Sequence, residues 1–238
     1  MFAVCTIARF NQVPREGHLK AMLRVFGYLK GYAKSRILVD PTLLQIKGNP
    51  IEHNWGELYP DSFEELPPDI LEPKGKPVLI TGYVDADHAH DLVTRRSVTG
   101  ALLFLNNTPI KWYSKRQNTV ETSTYGSEMV AARIATELIM EMRYKLRMLG
   151  VPILGSTALY GDNQSVVLNT TVPSSVLKKK SNSIAYHRVR EAVAAGTLHF
   201  FHIRSTENIV VILTKPIGPK VFYGHIKGLL FGSVHSTF

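Results

Sequence analysis

The sequence predicts a mixed α/β fold, and three observations predict it. Strand-type runs "VLITGYVD", "VTGALLFL" and "PIKWYS" follow one another closely between Val78 and Ser114. Segments that alternate between helical and strand patterning come after them, up to about Thr214. A basic amphipathic segment and an acidic, proline-rich connector precede them. Three consecutive strands followed by alternating helices and strands describe a mixed sheet covered by helices.

Taken in order, "FAVCTIARF" reads as a short helix. In "EGHLKAMLRVFGYLKG", Leu19, Met22, Leu23, Phe26 and Leu29 recur at helical spacing between Pro14 and Gly31, which predicts an amphipathic helix with its apolar side in the core. Lys20, Arg24 and Lys30 then face water or phosphate. "SRILVD" is a plausible strand. Residues 40–77 lack sustained periodicity and read as a tether between domains, pinned by Trp55 and Tyr59. Beyond the three strands, the patterning predicts a long helix over about 124–149, a strand "TALYGD", a short helix "NQSVVLN" and a second long helix over about 182–195. A strand "TLHFFHIRS" and a helical turn near Ile209 to Thr214 complete the order.

The chain has 238 residues and is 45% hydrophobic, enough for one large domain or two small ones with a buried core. No apolar run is long enough to span a bilayer, and the N-terminus is too soon interrupted by arginine to serve as a secretion signal. The single cysteine, Cys5, excludes an internal disulfide framework and a cysteine-based zinc site, and suits a reducing compartment. The net charge of +9 is unevenly spread: seven Lys/Arg against one acid over 1–39, one against eight over 40–72, and eighteen against ten from Val78 onward. Basic blocks of this kind meet phosphate backbones, or are simply solvated.

Acids are scarce after Val78, so their positions carry weight. Asp85 ends the first strand and shares a side of the extended chain with Asp87. Glu128 lies near the start of the long helix among Val130, Ala131, Ile134, Ala135 and Leu138, which makes it core-directed. Asp162 follows "TALY" and opens the next helix. Each has an ordinary explanation: a turn former, a favourable charge at a helix N-terminus, and an N-cap. Gathered at the carboxyl ends of neighbouring strands, the three would form the oxygen set that two magnesium ions about 4 Å apart require for phosphodiester hydrolysis.

At this point the residues resemble a known family. "YVDADHA", "RRSVTGALLFLNNTPIKWYSKRQNTVETSTYGSE", "YGDNQSVV", "YHRVRE" and "ILTKP" stand in the order and approximate spacing of the C-terminal part of copia-type retrotransposon Pol polyproteins. That part is the ribonuclease H domain with the end of reverse transcriptase before it. The resemblance implies a ribonuclease H-like five-stranded mixed sheet flanked by helices over 78–218. It makes 1–39 a remnant of the reverse transcriptase C-terminal (thumb/connection-like) region, 40–77 the tether and 219–238 a C-terminal tail. It also implies metal-dependent hydrolysis of the RNA strand of RNA/DNA hybrids, with Asp85, Glu128 and Asp162 as catalytic metal ligands and two Mg2+ or Mn2+ ions as cofactors. The order strand-Asp, helix-Glu, strand-Asp favours RNA-strand hydrolysis over the strand transfer of integrases, which place their glutamate last. Asp87 is expected to support the site or serve structure. Implied partners are the hybrid and other polyprotein regions, reverse transcriptase and integrase, with no membrane. The implied location is intracellular, cytoplasmic in a virus-like particle or nuclear.

The sequence departs from the family at one acid. Ala-Asp usually precedes the hydrophobic-Leu-Thr-Lys segment, whereas "NIVVILTKP" places Val211 where the aspartate belongs, and the nearest acid is Glu207. His90, Ser181 and Gly161 replace a usual glycine, histidine and cysteine. These departures suggest a degenerate copy and an alternative function, a catalytically inactive nucleic-acid-binding remnant. No Tyr-x-Asp-Asp signature occurs in the chain, so no reverse transcriptase activity is expected of this fragment alone.

A hybrid reader uses cations and small polar groups. Arg95, Arg96 and Ser97 fit a phosphate-contacting hairpin, or a solvated turn. Lys115, Arg116, Gln117 and Asn118 precede Glu128, with Ser123 or Thr124 as helix caps or contacts. Asn163, Gln164 and Ser165 adjoin Asp162 and could meet 2′-hydroxyls. Lys178, Lys179 and Lys180 form the sharpest basic run, suited to salt-sensitive attraction. His187, the family's Tyr-His histidine, is a structural residue or a proton shuttle. Trp112 and Tyr113 alternate faces on a strand and read as core and surface rather than as a stacking platform.

Overall fold

The computed structural model describes residues 1–231. Its centre is a five-stranded sheet built from β2 (Ile80–Asp87), β3 (Val98–Leu105), β4 (Thr108–Arg116), β5 (Thr157–Gly161) and β6 (Leu198–His202), in the order β4-β3-β2-β5-β6. The β2/β3 and β3/β4 pairs are antiparallel, whereas β5 runs parallel to both β2 and β6. A five-stranded mixed sheet flanked by helices is the arrangement expected from the sequence.

The alternation of side chains along β2 divides the molecule into two layers. Ile80, Val84 and Ala86 enter the main core, where α3 (Thr124–Met148) lies across the sheet. Ala131, Ala132 and Ala135 are fully buried there, and their small side chains bring the helix backbone close to the strands. The helices α4 (Gln164–Thr171) and α5 (Ser183–Ala194) close the same core through Val166, Ala185 and Val189. On the other face, Tyr83, Tyr160 and Phe201 form a stacked row, beside Leu102 and Phe104. The short α6 (Val211–Thr214) covers this second face with Leu213, joined by Val210 just before the helix.

Before the sheet, α1 (Phe2–Ala8) and α2 (Glu16–Gly31) form where helical periodicity predicted them. The expectation that α2 turns its apolar side into a core is overturned. The helix has no buried residue, and Leu23 and Phe26 are 57% and 58% exposed. Periodicity reports that a helix has an apolar face, and the cover for that face must come from elsewhere. The strand expected in "SRILVD" is two residues, β1 (Arg36–Ile37), paired antiparallel with β7 (Leu230–Phe231). An unforeseen helix, α7 (Pro219–Ile226), lies in the segment expected to be a tail, and Tyr223 of α7 hydrogen-bonds Tyr32 at 2.7 Å. Residues 232–238 of that tail lie outside the described residues. Among the described residues no helix is long and apolar enough to cross a membrane.

Residues 40–77 contain no regular helix or strand, yet they are fastened along their length. Asp40 accepts a hydrogen bond from Asn107 at 2.6 Å and its N–H donates to Thr108. The Lys47 N–H donates to the Tyr160 hydroxyl at 2.8 Å. Trp55 is buried beneath the Arg190 guanidinium, 4.8 Å from its ring centroid, and Tyr59 hydrogen-bonds His187. Glu64 then spans Arg143 and Arg147 in paired bonds of 2.7 to 3.2 Å. The segment is a belt around the sheet domain, with Trp55 and Tyr59 among its anchors as expected.

Candidate active site

The three acids come from three separate elements and meet. One carboxylate oxygen each from Asp85, Glu128 and Asp162 all lie within 4.8 Å of one another. Asp85 sits near the end of β2, opposite Gly100 of β3 in the antiparallel register. Glu128 reaches the cluster from the N-terminal part of α3, where the Ala86 backbone N–H favours its charged form. Asp162 follows β5, which runs parallel to β2, so both strands deliver their carboxyl ends to one place.

Local sequence explains each placement. A Cβ at Gly100 would stand 2.6 Å from Thr214 Cγ2 and 2.7 Å from Val210 Cγ1, so only glycine lets α6 press onto the sheet beside Asp85. That approach brings the buried Thr214 hydroxyl to Oδ2 of Asp85, to which it donates. Ser123, the N-cap of α3, accepts the Gly126 N–H at 3.2 Å and fixes the start of the helix that carries Glu128. The cap of α4 is Asn163, whose side chain accepts the Val166 N–H at 3.2 Å; the N-cap reading of Asp162 is thereby corrected, and its carboxylate is left to the cluster.

Burial and the neighbouring acids disfavour the charged forms of Asp85 and Glu128. Burial pushes the Asp85 carboxyl above the usual range, the Thr214 hydrogen bond and Lys215 oppose that, and Asp162 and Asp87 reinforce it. Glu128 is pushed up further, by burial first and then by Asp85 and Asp162, against the Ala86 N–H and Lys215. The donor set is all oxygen and anionic, with Asp85 buried and the others half-buried, and its own repulsion is what a divalent cation would relieve. The residues present therefore fit a divalent metal. Thr214 and Lys215, which act on the cluster, were not singled out from the sequence. Their only signal was the "LTKP" motif in which they sit.

The other anticipated contacts divide. Arg95, Lys115, Gln164, Ser165, Lys178 and Lys180 are exposed, and Arg96 and Asn163 half-buried. Ser97 is wholly buried, its hydroxyl accepting the Ala89 N–H, and it is corrected from a contact to a loop brace. Gln117 is likewise buried, donating to Thr99 Oγ1 and the Ser127 carbonyl, both at 2.9 Å, which corrects its assignment to substrate. Lys179 is turned onto Thr122 and Ser123 at the start of α3. His187 is exposed on α5 and occupied by the Tyr59 hydroxyl at 2.7 Å, a belt contact. Asp87 is bound by His90 Nδ1 at 2.6 Å. Val211 is the half-buried first residue of α6, and Glu207 pairs with Lys47 at 3.5 Å.

No protein-family profile matches the chain. The retrovirus-related Pol polyprotein from transposon RE1 of Arabidopsis thaliana is 24% identical over 221 residues, 93% of this chain and 13% of its own length. The corresponding polyprotein from transposon TNT 1-94 of Nicotiana tabacum is 31% identical over 143 residues, 60% of this chain and 11% of its own length. The chain thus spans about an eighth of the length of these two curated relatives. Among solved structures, LC11-RNase H1 in complex with an RNA/DNA hybrid aligns with a TM-score of 0.46 and 16% identity, over 57% of this chain and 93% of that one. Along 93% of its length, the chain is similar to part of a retrovirus-related Pol polyprotein of a transposon.

Proposed function

We propose that residues 78–218 form a ribonuclease H-type domain that hydrolyses the RNA strand of an RNA/DNA hybrid, leaving a 5′-phosphate on the product. The observation that carries this reading is the convergence of Asp85, Glu128 and Asp162 within 4.8 Å around a buried strand end. Two divalent cations bound there, magnesium or manganese, would supply charge neutralisation and an activated water. The chain's own residues do the rest. Thr214 fixes the orientation of Asp85 through Oδ2, and the Ala86 N–H favours the charged form of Glu128. Lys215 offsets part of the negative charge on both. Arg95, Gln164 and Ser165, exposed on the segments that follow Asp85 and Asp162, are suited to phosphates and 2′-hydroxyls. Lys115, Lys178 and Lys180 add salt-sensitive attraction.

A second reading is favoured by Val211, which stands where the resemblance places a fourth aspartate. Under it the domain binds hybrid and does not cut. Labelled RNA/DNA hybrid incubated with pure protein in Mg2+ and in Mn2+ decides between them. Cleavage by the wild type that disappears in Asp85→Asn supports the hydrolase. Salt-dependent binding without turnover supports the remnant, and undiminished cleavage by Asp85→Asn sinks the site assignment.

A further inference from the structure

The connection between β2 and β3 carries Arg95 and Arg96, and its shape depends on one residue. Oδ1 of Asp91 accepts the N–H groups of Val93 and Thr94 at 3.1 and 2.9 Å, and its carbonyl accepts the Arg95 N–H at 2.7 Å. Its own N–H donates to the Arg96 carbonyl at 3.1 Å, and Arg95 adopts a left-handed φ of 55°. This conformation needs such a scaffold, because a non-glycine residue does not hold it unaided.

The other carboxylate oxygen of Asp91 is held from outside the loop. Arg116 Nη1 of β4 lies 2.6 Å from Oδ2, and Arg9 Nη1, just past the end of α1, lies 3.5 Å from the same atom. The side chains of Arg9 and Asp91 are only 13% and 11% exposed, so solvent screens the pair weakly. A second contact joins the same elements. The Phe2 ring of α1 meets His90 edge-on at 5.2 Å, and His90 Nδ1 holds Asp87 at 2.6 Å. The N-terminal helix therefore grips this connection at two adjoining residues.

We infer that α1 is a positioning element for nucleic-acid binding. Arg9, acting through Asp91, holds the connection over residues 91–96 in the form that presents Arg95 and Arg96 to the phosphates of an RNA/DNA hybrid. The inference rests on the proposed function for the identity of the ligand. Arg9 is a positioning residue and need not touch the hybrid.

The test uses the full chain as wild type, Arg9→Met and Arg9→Lys. Hydrogen exchange over residues 92–97 is followed by mass spectrometry. Hybrid affinity is measured by fluorescence anisotropy without divalent ions, and KM and kcat are measured with them wherever the wild type turns over. Arg9→Met is expected to speed exchange in the loop and to weaken hybrid binding at least about fivefold, the lower end of ordinary coupling between sites. KM should rise with kcat little changed, and Arg9→Lys should recover part of the loss. Faster exchange with unchanged affinity would mean that Arg9 only fastens α1, and would overturn the inference. Unchanged exchange and affinity would overturn it as well. A wild type that neither binds nor cuts hybrid instead defeats the proposed function, and with it the ligand named here, whatever the exchange data show about the loop.

Discussion

The Thr214 hydroxyl donates to Oδ2 of Asp85 across a contact that exists only because residue 100 is glycine. It joins the "LTKP" segment to the strand that carries the first acid. It also favours the charged form of a carboxyl that burial pushes above its ordinary range. Thr214→Val keeps the shape of the side chain and removes the donor. Divalent-ion affinity, read by Mn2+ titration calorimetry at neutral pH, is expected to fall about tenfold, the lower end for losing a group that orients a metal ligand. A Gly100→Ala variant tests the same contact from the other side, and should weaken it by displacing α6.

The acid cluster also predicts an unusual pH dependence. Asp85 and Glu128 have folded-state pKa values above their ordinary values, so the native chain holds their protons where the unfolded chain has lost them. Their contribution to stability is therefore neutral at low pH and becomes unfavourable as pH rises through the ordinary carboxylate range toward the raised values. In EDTA, Glu128→Gln should be more stable than wild type at pH 8, and the difference should vanish near pH 4. Added Mg2+ should stabilise the wild type and not the variant. Denaturant unfolding at the two pH values checks both statements, and equal stabilities at pH 8 would contradict them.

Glu64 shows the opposite sign. Burial opposes its charge, but hydrogen bonds from Arg143 and Arg147 outweigh that and hold its carboxyl below the usual range. Its stabilisation is complete above the ordinary glutamate pKa and is lost as pH falls through the lowered value. The Arg143 side chain is 4% exposed, so Glu64→Gln strands a buried guanidinium on the Gly155 carbonyl and the Thr157 hydroxyl. The expected loss is about 3 kcal/mol at pH 7, the size seen when one member of a buried pair is removed. Unfolding of the full chain by urea measures it. A loss near zero would mean that residues 40–77 are the loose spacer their composition suggests.

The α2 helix separates periodicity from burial. Leu23→Ser and Phe26→Ser are expected to change stability by less than about 0.5 kcal/mol, because both side chains are already more than half exposed. Ile139→Ala in α3, at a residue with no exposure, should cost about 2–5 kcal/mol. Thermal unfolding of the three variants gives the contrast directly.

What was legible in the sequence follows from the range of the forces involved. The strands β2 to β6 and the helices α3 to α5 were readable because their patterning is local: "VTGALLFL" names β3 residue for residue. Asp85, Glu128 and Asp162 were each explicable as caps or turn formers, and the shared motifs, rather than any spacing, pointed to their meeting. Apart from Trp55 and Tyr59, the anchors of the belt were illegible because they pair residues far apart in the chain, as Glu64 does with Arg143. Ser97 and Gln117 were misplaced because a polar residue beside a basic run looks solvent-facing until the fold supplies its partners, the Ala89 N–H and the Ser127 carbonyl. Arg9 and Asp91 were invisible for the same reason.

Val211 offers the most direct test of how much of the site survives. It begins α6, the same short helix whose last residue, Thr214, touches Asp85. Being half-buried, it can accept a carboxylate without stranding a charge in the main core, so Val211→Asp should fold. A fourth acid adds a ligand and also adds repulsion, and the two effects part company with metal. In EDTA the variant should be less stable than wild type, because one more negative charge faces Asp85 and Glu128. In Mg2+ it should recover that loss and cleave hybrid at least about tenfold faster, if the new carboxylate completes the set. Thermal unfolding in EDTA and in Mg2+, alongside cleavage of a labelled RNA/DNA hybrid, follows the two effects separately. A variant that is neither destabilised in EDTA nor stabilised by Mg2+ would show that position 211 does not face the metal cluster, and that the missing aspartate is not what limits this chain.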